Sequence, residues 1–142
     1  MKASARNVFE GTVSSVHSGT VNAEVGVELP SGDKLVAVIT VDSVKSLQLT
    51  PGKPVLALIK APWVMLMTDA GGIRLSARNC LAGKVTSVNA GAVNAEVVVT
   101  LPGGTEFVAI VTNDAVAELG LAPGVAASAV IKASNIILGV PA

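Results

Sequence analysis

The sequence predicts an all-β protein made of two small five-stranded barrels in tandem, each with one short helix. Two observations lead to this fold class. When the chain is shifted by 72 positions it aligns with itself without a gap, and close to half of the aligned residues are identical. Apolar and polar residues alternate through most of each copy, as they do in strands with one buried face. We therefore expect residues 1–70 to form the first domain and residues 73–142 the second.

The first half of each copy predicts three antiparallel strands. In TVNAEVGVEL, residues 20–29, the apolar residues from Val21 to Leu29 share one face, whereas Asn22, Glu24 and Glu28 share the other. The HSG segment before it and the PSGD segment after it predict the turns that join it to its neighbours. The third strand is then KLVAVITV, which follows the second turn.

The second half of each copy predicts a short helix and two more strands. Thr40 or Asp42 can cap a helix that turns Val44 and Leu47 inward, and the following PG pair ends it. PVLALIK and WVMLM read as two further strands, which we expect to close the barrel of their own copy. Three strands, a helix and two strands is the element order of a small OB-like barrel.

Charge and composition argue against a nucleic-acid or membrane partner. Ten basic and ten acidic residues leave no net charge, and the chain has no tyrosine, two phenylalanines and one tryptophan. A nucleic-acid-binding OB protein, the remotest alternative, needs a basic groove and aromatic stacking platforms. The most apolar stretch is interrupted by Lys60 and Pro62 before it could span a bilayer. We expect a soluble, cytoplasmic protein.

The residues for catalysis or for a bound metal ion are also missing from the pattern. His17 is the only histidine and is replaced by Asn89 in the second copy, and no nucleophile and base recur together. Cys80 is the only cysteine, so there is no thiolate cluster for a metal. We expect Cys80 to be a small core residue. The prediction is a protein that is not an enzyme.

A few charged positions are identical in both copies, although most other charges have diverged. Asp42 and Asp114 are expected to cap the helices. Glu24 and Glu96 are expected to be either solvated residues on a strand face or partners of ion pairs between chains. The recurring cations are Arg6 with Arg78 and Lys60 with Lys132.

Two repeated segments carry the groups that a tetrahedral oxyanion needs. Such an anion only accepts hydrogen bonds, so it requires hydroxyl, cationic and backbone N–H donors from several directions, beside small side chains that let the backbone approach. The alternative is that these segments are ordinary strand ends with solvated charges. Pro62 has neither hydroxyl nor N–H where the second copy has Ser134, so the copies are expected to bind unequally. The candidates are Ser4, Ala5, Lys60 and Ala61, with Ser76, Ala77, Lys132, Ala133 and Ser134.

The same segments resemble the molybdate-binding Mop domain. The resemblance is carried by SARNCLAGKV, GAVNAEV, LGLAPG and AVIKASNIILGV, which occur in this order in the second copy and in related form in the first. Two copies in tandem are similar to the di-Mop proteins of the molbindin family. This resemblance implies an OB-like fold, a homotrimer, and binding of molybdate or tungstate at interfaces between barrels, for molybdenum storage and homeostasis. It implies no cofactor, and the metal enters only as an oxyanion. The alternative is the effector-sensing module of a molybdate-responsive regulator or transporter.

The resemblance also implies two sets of oxyanion-binding residues. Where the second copy has Ala133, Ser134 and Asn135, the first departs from the pattern with Pro62 and Trp63 after Ala61. The first set combines a SARN segment (4–7 or 76–79) with the KA segment of a neighbouring barrel, which begins at Lys60 or Lys132; it comprises Ser4, Ala5, Arg6, Lys60, Ala61, Ser76, Ala77, Arg78, Lys132, Ala133 and Ser134. The second set comprises the VNA segments, Val21, Asn22 and Ala23 with Val93, Asn94 and Ala95.

Overall fold

The computed structural model describes residues 1–69 and 71–142 and confirms a mainly β protein with two five-stranded sheets. The first copy contains β1 (Asn7–Ser18), β2 (Asn22–Glu28), β3 (Lys34–Thr40), helix α1 (Val41–Ser46), β4 (Pro54–Ile59), a 3₁₀ helix (Ala61–Trp63) and β5 (Met65–Met67). The second copy contains β6 (Asn79–Ala90), β7 (Asn94–Thr100), β8 (Glu106–Thr112), helix α2 (Asn113–Leu119), β9 (Ala126–Ile131), a 3₁₀ helix (Ala133–Asn135) and β10 (Ile137–Gly139).

The two copies exchange their last strands. The strand order is β10-β4-β1-β2-β3 in one sheet and β5-β9-β6-β7-β8 in the other, and the pairs within them are antiparallel. The expectation that WVMLM closes its own copy was therefore wrong. The first 3₁₀ helix packs on β8 of the second copy, so the chain has already crossed over when β5 begins beside β9. The division into domains 1–70 and 73–142 stays a prediction about the sequence repeat.

Threonine, and not aspartate, caps both helices. The Thr40 hydroxyl accepts a hydrogen bond from the Ser43 N–H at 3.0 Å, and the Thr112 hydroxyl accepts one from Ala115 at 3.1 Å. The capping role expected of Asp42 and Asp114 was wrong, because β3 and β8 end at the threonines and the aspartates already lie in the first helical turn. There each carboxylate interacts favourably with the free N–H groups of the helix N-terminus.

The aliphatic core runs through both copies. Buried valines of β2 and β7 pack with Leu35 of β3 and Phe107 of β8 in one cluster. Phe9 of the first copy lies on Phe107 of the second, with ring centroids 4.9 Å apart. Cys80 is exposed, contrary to expectation, because on β6 it alternates with the buried Asn79 and so faces outward. The exchange of strands and this shared core make the two copies one packing unit.

Candidate functional site

The ladder between the first and fourth strands of each copy brings the SARN and KA segments together. Asn7 at the start of β1 pairs with Ile59 at the end of β4. The next residues outward are Arg6 and Lys60, which therefore leave the sheet at the same end. The ladder between β6 and β9 repeats this arrangement, with Asn79 opposite Ile131. Each copy thus joins its own two predicted segments.

The recurring arginines and glutamates form two ion pairs that connect the copies. The Arg6 guanidinium donates to both carboxylate oxygens of Glu96, at 2.6 and 3.0 Å. Arg78 donates to Glu24 in the same way, at 2.5 and 2.9 Å. Glu24 and Glu96, for which solvated positions or pairs between chains were expected, are therefore paired within the chain.

The asparagine that ends each SARN segment, Asn7 or Asn79, forms a second connection between the copies, which the sequence pattern did not indicate. The Asn7 amide donates to the carbonyl oxygens of Ile59 at 3.1 Å and Val108 at 2.8 Å, and its Oδ1 accepts from the Val108 N–H at 2.7 Å. Asn79 makes the same three bonds to Ile131 and Val36. Both asparagine side chains are buried, and both satisfy the outer backbone of an edge strand, β8 or β3.

The KA segments lie where β4 and β9 turn into the 3₁₀ helices. Lys60 and Lys132 are exposed and occupy the N-cap positions, where neither makes a side-chain capping bond. Ala61 and Ala133 are buried, so a small residue is needed there for packing as well as for access to the backbone. The Lys60 ammonium lies 5.6 Å from the centre of the Trp63 ring, a cation–π contact.

The two 3₁₀ helices differ in the donors they offer. Pro62 occupies the first turn of the first one and has no N–H, whereas the equivalent Ser134 is an exposed residue with a hydroxyl and an N–H. The copies therefore differ in the donors that lie next to the two lysines, and unequal binding stays a prediction.

The VNA segments lie at the far end of the β1–β2 and β6–β7 hairpins. The carbonyl of Val21 accepts from Val41 of the helix that follows, and the carbonyl of Asn22 closes the hairpin with Gly19, each at 2.8 Å. Ala23 and its equivalent Ala95 are buried, whereas Val21, Asn22, Val93 and Asn94 are exposed. Because Glu96 follows Asn94 by two residues and binds Arg6, the VNA segment of one copy approaches the SARN segment of the other.

Two pockets among the described residues lie elsewhere. One has a volume of about 660 Å³ and is lined by β1, β2, β4 and Pro141; the other, about 800 Å³, lies between β1 and the turn at Gly103 and Gly104. Neither is lined by a residue of the predicted oxyanion sets. The serines, arginines and lysines of the SARN and KA segments are instead exposed on the open surface of the chain.

The described residues contain neither a cluster of metal ligands nor a helix that could span a membrane. Within residues 1–69 and 71–142, no three or more His, Cys, Asp or Glu side chains are grouped so that they could hold a metal ion. In the same ranges, the helices are all too short or too polar to cross a membrane.

The fold and the repeated segments define a tandem of two TOBE domains, and the chain belongs to the TOBE domain family, whose sequence profile matches residues 3–66 and 75–138. Among solved structures, the cytoplasmic molybdate-binding protein ModG with molybdate bound is 64% identical and superimposes with a TM-score of 0.96, over 99% of this chain and 100% of that one.

Curated relatives are similar over the whole of this chain. The molybdenum transport protein ModE of Azotobacter vinelandii is 46% identical over 140 residues, and the molybdenum-pterin-binding protein MopA of Rhodobacter capsulatus is 44% identical over 141 residues. Each comparison covers 99% of this chain but 52% and 53% of those relatives. The chain therefore spans about half the length of the curated relatives it matches.

Proposed function

We propose that this protein binds molybdate or tungstate in the cytoplasm and serves molybdenum storage and homeostasis, without a cofactor and without catalysis. One observation carries the proposal: the chain matches molybdate-bound ModG over the full length of both chains at 64% identity. ModG is described as cytoplasmic and molybdate-binding. The chemistry of the SARN and KA segments agrees with this, since they bring hydroxyl, ammonium and backbone donors to one end of a ladder.

The proposed sites use the two predicted sets of residues. In the first set, Ser4 and Lys60 of one copy, or Ser76 and Lys132 of the other, offer a hydroxyl and an ammonium at the same end of a strand pair. The full first set is Ser4, Ala5, Arg6, Lys60 and Ala61, with Ser76, Ala77, Arg78, Lys132, Ala133 and Ser134. The second set, Val21, Asn22 and Ala23 with Val93, Asn94 and Ala95, would offer mainly the exposed asparagine amides and backbone N–H groups.

The expected affinity suits reversible storage. About six hydrogen bonds to a charged ligand, at about 1.5 to 3 kcal/mol each, give a gross gain of about 9 to 18 kcal/mol. Association and ordering cost several kcal/mol. The remainder, about 8 kcal/mol, corresponds to a Kd of about 1 μM. Such a site fills when molybdate is abundant and empties when it is scarce.

We also propose that the sites are completed by assembly into a homotrimer. Large apolar side chains are exposed at equivalent positions of both copies: Val21 is 68% and Val93 70% exposed, and Met65 is 58% and Ile137 53% exposed. Repetition of exposed apolar side chains supports an interface with further copies of the chain. The open position of the SARN and KA segments fits a site that a second chain closes. An anion bound between chains would stabilise the oligomer by mass action.

A second candidate function is the effector-sensing module of a molybdate-responsive regulator. It is favoured by one observation, that the chain spans about half of relatives such as the DNA-binding transcriptional dual regulator ModE of Escherichia coli, which is 34% identical. The mass of the single polypeptide chain in cell extract, detected with an antibody, distinguishes the two functions. A species of about 14 kDa per chain supports a separate binding protein, and one of about twice that mass supports the sensing module.

Isothermal titration of anion-stripped protein with sodium molybdate tests the proposal, with sulfate as the competitor and the oligomer mass measured in parallel. We expect saturable uptake of more than one molybdate per chain that excess sulfate does not displace. No heat of binding to a correctly assembled oligomer would overturn the proposal.

A further inference from the structure

We propose that Arg6 and Arg78 are positioning residues, which act on the anion through Glu96 and Glu24 and do not bind it with their guanidinium groups. This rests on the proposed function, and it reassigns two residues that the family resemblance places among the ligands. The inference concerns which chemical groups of the repeated SARN segment face the oxyanion.

Both arginines already donate hydrogen bonds within the chain. The two terminal nitrogens of Arg6 are both bound to Glu96, in the parallel two-bond geometry that fits guanidinium to carboxylate. Arg78 is bound to Glu24 in the same way. Two of the five N–H donors of each arginine make this pair of bonds, and the other three, the Nε–H and one N–H on each terminal nitrogen, point away from the carboxylate.

The Glu96 carboxylate makes the Arg6 guanidinium a poorer site for an anion. An oxyanion placed on the Arg6 guanidinium would also lie beside the Glu96 carboxylate, and the repulsion would offset much of the attraction. With its carboxylate neutralised by Arg6, Glu96 adds little field at the neighbouring Lys60. Among the described residues Lys60 forms no ion pair, so its ammonium offers a positive charge at this end of the ladder.

Each SARN segment is held to the other copy by two successive residues. Arg6 attaches the SARN segment to Glu96 on β7, and the adjacent Asn7 attaches it to Val108 on β8, so two successive residues hold the same segment to neighbouring strands of the other copy. The second SARN segment is held to β2 and β3 in the same way. These contacts fix the backbone that carries Ser4 and Ala5 relative to Lys60, which keeps the donors in place before the anion arrives.

The test compares the glutamates with the arginines by molybdate titration of the full chain. If the arginines position the segment, Glu24→Ala with Glu96→Ala weakens molybdate binding by about fivefold or more, which corresponds to ~1 kcal/mol. Arg6→Ala with Arg78→Ala gives a similar loss, and the fourfold variant loses no more than either pair, because the residues act as a unit. If the arginines are ligands, removing the glutamates leaves binding unchanged or tighter, since two carboxylates have left the neighbourhood of a dianion.

Controls separate this outcome from loss of fold and from loss of charge. Glu28→Ala with Glu106→Ala also removes two carboxylates, both exposed, and should leave binding within about twofold of the wild type, a difference that corresponds to ~0.4 kcal/mol. Thermal unfolding and oligomer mass are measured for every variant.

A second pair of substitutions keeps the inference testable if the alanine variants do not assemble. Arg6→Lys with Arg78→Lys keeps the positive charges but cannot form the two-bond contact. Positioning predicts weaker binding by the lysine variant, and undiminished binding would overturn the inference. Wild-type protein that binds no molybdate would overturn the proposed function and this inference with it. Wild-type binding together with unchanged or tighter binding by the glutamate variant would overturn this inference alone.

Discussion

Replacing Asn7 with alanine tests whether the SARN segment holds the two copies together. The change removes three hydrogen bonds, of 2.7, 2.8 and 3.1 Å, and leaves the Val108 N–H and two carbonyls without these partners. At about 0.5 to 1.5 kcal/mol per bond the loss is about 1.5 to 4.5 kcal/mol. Water can reach part of the edge strand in the variant, so we expect a decrease of about 2 to 3 kcal/mol in the free energy of unfolding.

The assay is urea unfolding followed by circular dichroism at one fixed protein concentration, because the stability of an oligomer depends on concentration. Asn79→Ala is the matched variant and should cost about the same, since its three bonds repeat those of Asn7. Amide hydrogen exchange gives a local readout, and we expect Val108 to exchange faster in the Asn7 variant while Val36 does not change. A stability change below about 0.5 kcal/mol, typical of a surface substitution, together with unchanged exchange at Val108, would refute the reasoning.

Three further predictions use differences between the copies. Gln48 adopts a φ of +53° at the end of α1, where the second copy has Gly120, so Gln48→Gly should raise the free energy of unfolding by about 0.5 to 1 kcal/mol and Gly120→Gln should lower it, measured by urea unfolding. Lys132→Ala should remove molybdate-binding capacity at one class of site with an unchanged unfolding midpoint; unchanged stoichiometry in the titration would argue against Lys132 as a ligand. The joint substitution Pro62→Ser with Trp63→Asn should make the KA segments of the two copies more alike in affinity, and a wild-type titration with one step of equal affinity would contradict the inequality of the copies.

The strands and helices were predictable because their signals are local. Alternation placed β2 and β3, and the threonine before the helix was one of two predicted caps. The exchange of β5 and β10 was not predictable, since the equivalent strands of the two copies have similar alternation and each could pair with either β4 or β9. In the structure each 3₁₀ helix packs on the third strand of the other copy, β8 or β3, before the last strand begins.

The sequence indicated candidate site residues, whose role in binding stays a prediction, but not the contacts that these residues make. Recurrence in both copies singled out Arg6 and Glu96, yet these residues are 90 positions apart and nothing local indicates that they pair. Asn7 recurs equally well, but a buried asparagine that binds a strand edge has no sequence signature that distinguishes it from one in a turn. Cys80 was misplaced because the usual burial of free cysteine outweighed its position in the alternation of β6.

A crystal soaked in sodium molybdate, with anomalous diffraction recorded at the molybdenum edge, tests the central claim most directly. The account predicts molybdenum peaks beside the SARN and KA segments, with oxygen atoms within hydrogen-bond distance of Lys132 and of Ser76 or its backbone neighbours. Peaks only in the pockets at β1, or no ordered molybdenum in an assembled crystal, would contradict it.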